Sequence, residues 1–184
     1  MGDHCSKFLQ RYLGRYIYNN RHYPHDIPRA LKSAFHRLDH TYLKIALGEG
    51  RSSGAAAIAL LVQGRALYVA NAGDCRAVLC EGGTAVPLSI DHVPANVAEL
   101  ERVERHGVHV KHGRLRVTSR TGEGLSLNVS RGFGSIAFKD KRRLIGRAVT
   151  AEPDVRVTCL TGDSEFVVLA SDGLWDVMSN EHVI

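Results

Sequence analysis

Three aspartates stand where an apolar run ends beside a glycine. Asp74 occurs in NAGDCR after the run 65–72, Asp172 occurs in LASDGLWDV after the run 166–170, and Asp176 comes four residues later. Four residues make about one helical turn, so Asp172 and Asp176 can face the same way. Hard cations such as Mg²⁺ and Mn²⁺ prefer oxygen ligands, and a few carboxylates on rigid elements suffice to hold them. One interpretation is therefore a metal site.

The same aspartates also have a purely structural interpretation. An Asp that precedes a glycine after a strand is most often a turn residue or a helix N-cap. The residues alone leave both interpretations open. Other chemistry has less support, because Ser130 and the ten histidines form no pattern typical of a Ser/His/Asp triad. The glycines of 124–135 lack the Lys-Ser/Thr ending of a phosphate-binding loop.

The composition is that of a globular protein. Hydrophobic residues make up 44% of the 184 residues and charged residues 23%, with a formal net charge of +5. The positive residues are scattered, and the basic run 138–147 has no aromatic residue beyond Phe138. A nucleic-acid surface needs a basic stripe with stacking aromatics, so no nucleic-acid partner is expected.

The cysteine spacing and the apolar runs indicate a location inside the cell. The four cysteines have no CxxC spacing: Cys5, Cys75, Cys80 and Cys159. This favours a reducing compartment, the cytoplasm or nucleus. No apolar run reaches the length of a membrane span, and no signal-peptide pattern opens the chain. Met1–Ser6, MGDHCS, matches the N-myristoylation pattern, so membrane association is expected only if Gly2 is acylated; otherwise Met1 is merely where the chain was cut or begins.

The elements that must position the aspartates follow from hydrophobic periodicity. Helices are predicted over 3–20, from Ile27, from Pro94 to a stop at Gly107, and from Trp175 to the end. Apolar runs separated by Gly64 predict a tight hairpin, and further short strands follow it. Helices first and then mainly hairpins predict an α+β fold.

Five strings in order resemble the PP2C (PPM-type) family of metal-dependent protein serine/threonine phosphatases. They are GDCRAVL, IDHVP, LNVSRGFG, AEPDV and EFVVLASDGLWDVMSNE. The resemblance runs from about Gly54 to Ile184 and fits the two preceding helices. It implies a sandwich of two antiparallel β-sheets flanked by helices, within a partial domain over 1–184 made of a helical pair (1–47) and sandwich elements (54–184).

The resemblance also implies a function. The family hydrolyses phosphoserine and phosphothreonine in proteins with a water activated by two Mg²⁺ or Mn²⁺ ions. By position, Asp172 corresponds to a core metal-binding aspartate. Asp74 and Asp176 correspond to carboxylates that, with Asp172, hold a looser third ion in some members. The implied partners are phosphoproteins, and the protein is expected to be a monomer.

Departures from the family pattern predict weak or absent activity for this chain alone. The first metal motif, Asp-Gly-His-x-Gly, is expected before the first helix, with Met1-Gly2 as its last two residues. Its bridging Asp and its His, a candidate general acid, are then missing, so the catalytic residues are unknown. The closing Asp-Asn motif is expected after Ile184, so the domain is interpreted as truncated at both ends. Gly54–Ala57 lack a usual Thr, Ser135 replaces a usual Asp, and both positions lie near the active-site end in the family. The alternative is a pseudophosphatase or regulatory binding module without hydrolysis.

Overall fold

The helices and strands occur in the order expected for a segregated α+β fold. The computed structural model describes residues 2–118, 124–139 and 148–184. The helices are α1 (His4–Tyr18), α2 (Ile27–Gly48), α3 (Val97–Glu104), α4 (Asp172–Trp175) and α5 (Asn180–Val183). The strands are β1 (Gly54–Ala55), β2 (Ala57–Gln63), β3 (Ala66–Ala72), β4 (Arg76–Glu81), β5 (Thr84–Pro87), β6 (His109–Lys111), β7 (Arg114–Thr118), β8 (Gly124–Leu127), β9 (Phe133–Gly134), β10 (Asp154–Cys159) and β11 (Ser164–Ala170). The α+β prediction and the hairpin at Gly64 are confirmed.

Two antiparallel three-stranded sheets face each other at the centre of the molecule. One has the strand order β10-β3-β2 and the other β11-β4-β5. Side chains alternate between the two faces of a strand, so every second residue of β3 points to the other sheet. Leu67 and Val69 of β3 thereby pack with Ala77 and Leu79 of β4 in one apolar core. This is the predicted sandwich of two antiparallel sheets.

Helices α1 and α2 cover the outer face of the first sheet. The residues of β3 on that face include Ala70 and Ala72, whose small side chains let the helices approach closely. The large side chains of this core come from the helices, among them Phe35, Leu38 and Tyr42 of α2, which are almost completely buried. Both helices have the apolar stripe that the sequence predicted, and the sheet supplies the surface that buries it.

A smaller layer with its own apolar core lies beside the sandwich. Helix α3 and the sheet β6-β7-β8 enclose this core, which includes Val103, Leu115 and Leu127. Helix α3 begins at Val97 rather than at Pro94 as predicted. The reason is that the Asn96 side chain accepts a hydrogen bond from a backbone N–H of the first turn and caps the helix there.

The predicted single helix at the end of the chain is wrong. The structure has two short helices, because α4 ends at Trp175 and the Ser179 side chain caps a new helix by accepting from the His182 N–H. None of the described helices is long and apolar enough to cross a membrane. Most of the basic run 138–147 lies outside the described residues.

The buried carboxylate of Glu99 joins the smaller layer to the sandwich. It accepts hydrogen bonds from Arg102 at 2.8 Å, from Arg131 at 2.7 Å and from Ser130. Arg131 also donates to Asp154 Oδ1 at 2.8 Å, at the start of β10. Burial alone would raise the pKa of Glu99, but the three donors outweigh burial and lower this pKa from 4.5 to about 2.

We expect Glu99→Gln to lower the free energy of unfolding by about 3 kcal/mol at pH 7, because two guanidinium groups lose their buried partner. The pKa of Glu99 in the folded state lies below its ordinary value. The ionised carboxylate therefore stabilises the fold fully above pH 4.5, and this stabilisation is lost as the pH falls towards 2. Urea denaturation between pH 7 and 3 measures both effects, and the variant should show a shallower acid dependence. Glu101→Gln, an exposed position on the same helix, is the control. Equal stability of Glu99→Gln and wild type at pH 7 would contradict the prediction.

A second buried ion pair joins α2 to the segment after β9. Lys139 Nζ donates to Asp39 Oδ2 at 2.7 Å and to the Gly132 carbonyl at 2.6 Å. Asp39 Oδ1 accepts from the Gly134 N–H at 2.8 Å. Burial lowers the pKa of Lys139, and the charge of Asp39 opposes that shift. The pair therefore fixes both ends of a segment that borders the site described below.

We expect Lys139→Met to destabilise the protein by about 3 kcal/mol, because it leaves the Asp39 carboxylate buried without its cation. The double variant Asp39→Asn/Lys139→Met should recover more than half of this loss, since Asn keeps an acceptor for the Gly134 N–H. Urea unfolding of the single and double variants measures the coupling between the two side chains. A single variant as stable as wild type would show that the ion pair contributes nothing.

Candidate functional site

The three aspartates meet at one end of the sandwich. Asp74 lies in the connection between β3 and β4, which passes from one sheet to the other. Strand β11 runs antiparallel to β4 with Ala170 opposite Arg76. The residue two positions after Ala170 and the residue two positions before Arg76 therefore come to the same edge. These residues are Asp172 and Asp74.

Helix α4 brings the third aspartate to the same place. Its single turn is closed by the Asp176 N–H, which donates to the Asp172 carbonyl at 2.8 Å. The side chains of Asp74, Asp172 and Asp176 line one cavity of about 200 Å³ together with Asn128. The prediction from spacing, that Asp172 and Asp176 face the same way, is confirmed; their role as metal ligands stays a prediction.

The carboxylates around the cavity make its electrostatic environment negative. Burial raises the pKa of Asp74, and the charges of Asp172, Asp91 and Asp176 raise it further. Burial and the neighbouring carboxylates also raise the pKa of the half-buried Cys75 thiol, from 9.0 to about 11. A bound cation would relieve this repulsion, because an opposite charge favours the ionised form of each carboxyl.

A fourth carboxylate at the cavity, that of Asp91, is already paired. Arg76 binds it with both sides of its guanidinium, Nε to Oδ1 at 3.0 Å and Nη2 to Oδ2 at 2.7 Å. Arg76 also donates to Asn180 Oδ1 at 2.9 Å and lies over the ring of Trp175 at 5.3 Å. Arg76 thus fixes α4 and α5 against β4 and occupies the oxygens of Asp91. The sequence reasoning missed this pair, whose signal was that Arg76 stands in the string GDCRAVL and Asp91 in the string IDHVP.

The residues present fit a hard divalent cation by their chemistry. Asp74, Asp172, Asp176 and Asn128 offer oxygen atoms only, and Mg²⁺ ordinarily keeps several waters besides its protein ligands. Asn128 Nδ2 donates to Asp74 Oδ2 at 3.4 Å, which leaves the amide oxygen for other contacts. Within residues 2–118, 124–139 and 148–184, however, no three His, Cys, Asp or Glu side chains form a group that could by itself hold a metal ion. The oxygens are assembled in one cavity but are not drawn together as a ligand shell.

A second cavity of about 310 Å³ adjoins the first and shares Asp74 and Asp172 with it. Its wall includes Gly54–Ala56 and Ser135, the positions that depart from the family pattern. A side chain at Gly54 would place its Cβ 2.0 Å from Ser135 Oγ, so residue 54 must stay small while this serine is present. In the structure these departures therefore line the same cavity as Asp74 and Asp172.

Gly73, which precedes Asp74, is held by buried polar groups on both sides of its peptide. Its N–H donates to the ring Nδ1 of His92 at 3.2 Å. Its carbonyl accepts from the His92 backbone N–H at 2.9 Å and from Asn71 Nδ2 at 3.1 Å. The φ angle of Gly73 is +128°, and an added Cβ would lie 2.3 Å from the Ala56 Cβ, so only glycine fits.

The ring of His92 is oriented by Asp154. Because Nδ1 accepts from a backbone N–H, the ring proton is on Nε2, which donates to Asp154 Oδ2 at 3.0 Å. This hydrogen bond, together with the charge of Arg131, lowers the pKa of Asp154 from 3.8 to about 2. Sequence reasoning missed both residues. Their one signal was their place in the strings IDHVP and AEPDV.

A family model and two curated relatives match the chain along its whole length. The family model described as "Protein phosphatase 2C" matches residues 1–184. "Probable protein phosphatase 2C 54" of Oryza sativa subsp. japonica is 36% identical over 185 residues, and "Probable protein phosphatase 2C 14" of Arabidopsis thaliana is 38% identical over 188 residues. These alignments cover 100% of this chain but 48% and 38% of the two relatives. The chain therefore spans less than half the length of either one.

Two solved structures share the fold. The crystal structure of serine-threonine phosphatase 2C from Toxoplasma gondii aligns with a TM-score of 0.76 at 21% identity, covering 99% of this chain and 68% of that one. The structure of a C. elegans sex determining protein aligns with a TM-score of 0.80 at 23% identity, covering 99% and 43%. At these identities the likeness concerns the fold, which is the predicted sandwich. Because the family model matches residues 1–184, the chain belongs to the protein phosphatase 2C family.

Proposed function

We propose that the protein is an intracellular, monomeric, metal-dependent phosphatase that hydrolyses phosphoserine and phosphothreonine in other proteins. The observation that carries this proposal is the cavity in which Asp74, Asp172 and Asp176 meet at the end of the sandwich. Family membership supports a phosphatase of the PP2C type. Because the chain spans less than half the length of the two relatives compared above, hydrolysis by the chain alone is a separate question.

In this proposal, one part of the site binds a cation and the other accommodates a phosphate. Asp172, Asp74 and Asp176 would hold Mg²⁺ or Mn²⁺ through their carboxylate oxygens. When bound, such ions activate a water for attack on phosphorus and neutralise phosphate charge. Asn128 donates a long hydrogen bond, 3.4 Å, to one oxygen of Asp74. The larger cavity beside Asp172 has room for the phosphorylated side chain of a protein substrate.

A second candidate function, phosphoprotein binding without hydrolysis, is favoured by one observation. In the described parts of the chain no three potential ligand side chains form a group that could hold a metal ion. A regulatory module of this kind would keep the sandwich and the larger cavity. Metal binding and turnover therefore have to be measured separately.

We expect Asp172→Asn to weaken Mn²⁺ binding at least tenfold, about 1.4 kcal/mol, because the variant removes a full negative charge from the cluster. Titration calorimetry, with electron paramagnetic resonance of free Mn²⁺, measures the affinity. Asp163→Asn is the matched control, because Asp163 is exposed in the turn at the opposite end of β11. Equal Mn²⁺ affinities of the two variants would contradict the assignment of Asp172 as a metal ligand.

We expect the 184-residue chain to show little or no Mn²⁺-dependent hydrolysis of a phosphothreonine peptide. The resemblance places a bridging carboxylate and a candidate acid outside this sequence. A chimera in which the rest of the rice relative surrounds these residues should turn over the peptide and lose this activity on Asp172→Ala. Robust turnover by the chain alone would contradict the first expectation. A folded chimera that binds the peptide without turnover would favour the second candidate function.

A further inference from the structure

We propose that His92 is a positioning residue, which holds the Gly73 peptide so that Asp74 is directed into the cavity shared with Asp172 and Asp176. This inference rests on the proposed function, because it takes Asp74 as one of the carboxylates that bind the cation. It adds a residue that does not itself contact the cation. The proposal follows from the contacts on both sides of Gly73.

His92 forms hydrogen bonds with the backbone at two places, Gly73 and Ser130. Its ring accepts from the Gly73 N–H, and its backbone N–H donates to the Gly73 carbonyl. Its own carbonyl accepts from the Ser130 N–H at 2.8 Å, two residues beyond Asn128. His92 therefore restrains Gly73, which precedes Asp74. It also restrains Ser130, two residues after Asn128, whose amide contacts Asp74. His92 is 1% exposed, so water does not compete for these hydrogen bonds.

Gly73 needs such external restraint because it has no side chain of its own to hold it. Its φ of +128° is outside the range that other residues readily adopt, and glycine reaches many other conformations. Rotation about this one residue would swing the Asp74 carboxylate away from Asp172. Ligand sites require their side chains within a fraction of an ångström, and residues behind them commonly supply that precision.

The orientation of the His92 ring is itself fixed from the far side. Nε2 donates to Asp154, whose other oxygen accepts from Arg131 at 2.8 Å. Arg131 in turn binds Glu99 at 2.7 Å. A line of hydrogen bonds thus runs from helix α3 to the peptide beside Asp74, and its links as far as His92 involve charged groups. Such a partner behind the ring fixes which nitrogen bears the proton, as is common behind metal sites.

A buried histidine with two satisfied nitrogens also has a simpler explanation, as an ordinary core residue. Two substitutions separate the explanations, because each keeps one half of the ring. Asn places an amide oxygen near the Nδ1 position and can still accept from the Gly73 N–H. Gln places its amide nitrogen near the Nε2 position and can still donate to Asp154. Only the first keeps the contact that the proposal requires.

The test compares Mn²⁺ affinity and unfolding free energy of the 184-residue chain and its His92→Asn and His92→Gln variants. We expect His92→Asn to bind within about threefold of wild type and His92→Gln to bind at least about tenfold more weakly. Unfolding in urea shows how much each substitution destabilises the fold. If affinity falls equally in both variants, or simply follows stability, His92 is a core residue and the inference is overturned.

A second measurement on the metal-free wild-type chain needs no variant to fold. Nitrogen-15 chemical shifts should show His92 protonated on Nε2 and bare on Nδ1 at pH 7, with the Gly73 amide proton shifted downfield by its hydrogen bond. The opposite tautomer would overturn the inference. Failure of the proposed function has a different signature: Mn²⁺ binding absent, or unaffected by Asp172→Asn. In that case the chemical shifts of the Asp74 side chain test the inference. They should change in His92→Gln and remain unchanged in His92→Asn.

Discussion

The guanidinium of Arg131 lies between two carboxylates, and the relation between the layers of the protein depends on it. Glu99 belongs to the smaller layer, which has an apolar core of its own, and Asp154 begins a strand of the sandwich. The apolar residues of the two layers form separate clusters, so directional polar contacts contribute to their mutual position. The buried carboxylate of Glu99, with Arg131 as its directional partner, supplies such contacts, because misplacement of the layers would leave this charge uncompensated.

This constraint explains why the cavity of aspartates forms where it does. Ser130 directly precedes Arg131 and Asn128 lies three residues before it, so the ion pairs help to place this stretch against the connection that carries Asp74. Register within the sheets contributes the rest, because pairing of β4 with β11 sets Asp172 beside Asp74. The site is therefore built by long-range pairing more than by any local sequence pattern.

The sequence allowed prediction of features that depend on local order. The hairpin at Gly64, the helical stripes of α1 and α2, and the common direction of Asp172 and Asp176 follow from periodicity alone. The Arg76–Asp91 pair joins residues on different elements, and periodicity does not show which strand ends will meet. The break before Ser179 was missed because an apolar pattern continues across it, whereas a capping serine decides where the new helix begins.

The thiol of Cys75 has a consequence for how the site would respond to oxidants. Peroxides react with thiolates, and a pKa of about 11 leaves only about one thiolate in ten thousand at pH 7. Burial is the main reason for this raised pKa, and the aspartates that make the cavity attractive to a cation raise it further. Where phosphate-ester hydrolysis relies on a cysteine nucleophile, oxidative stress can switch it off. Burial and, after it, the neighbouring negative charge thus disfavour oxidation of the Cys75 sulfur, which lines the larger cavity.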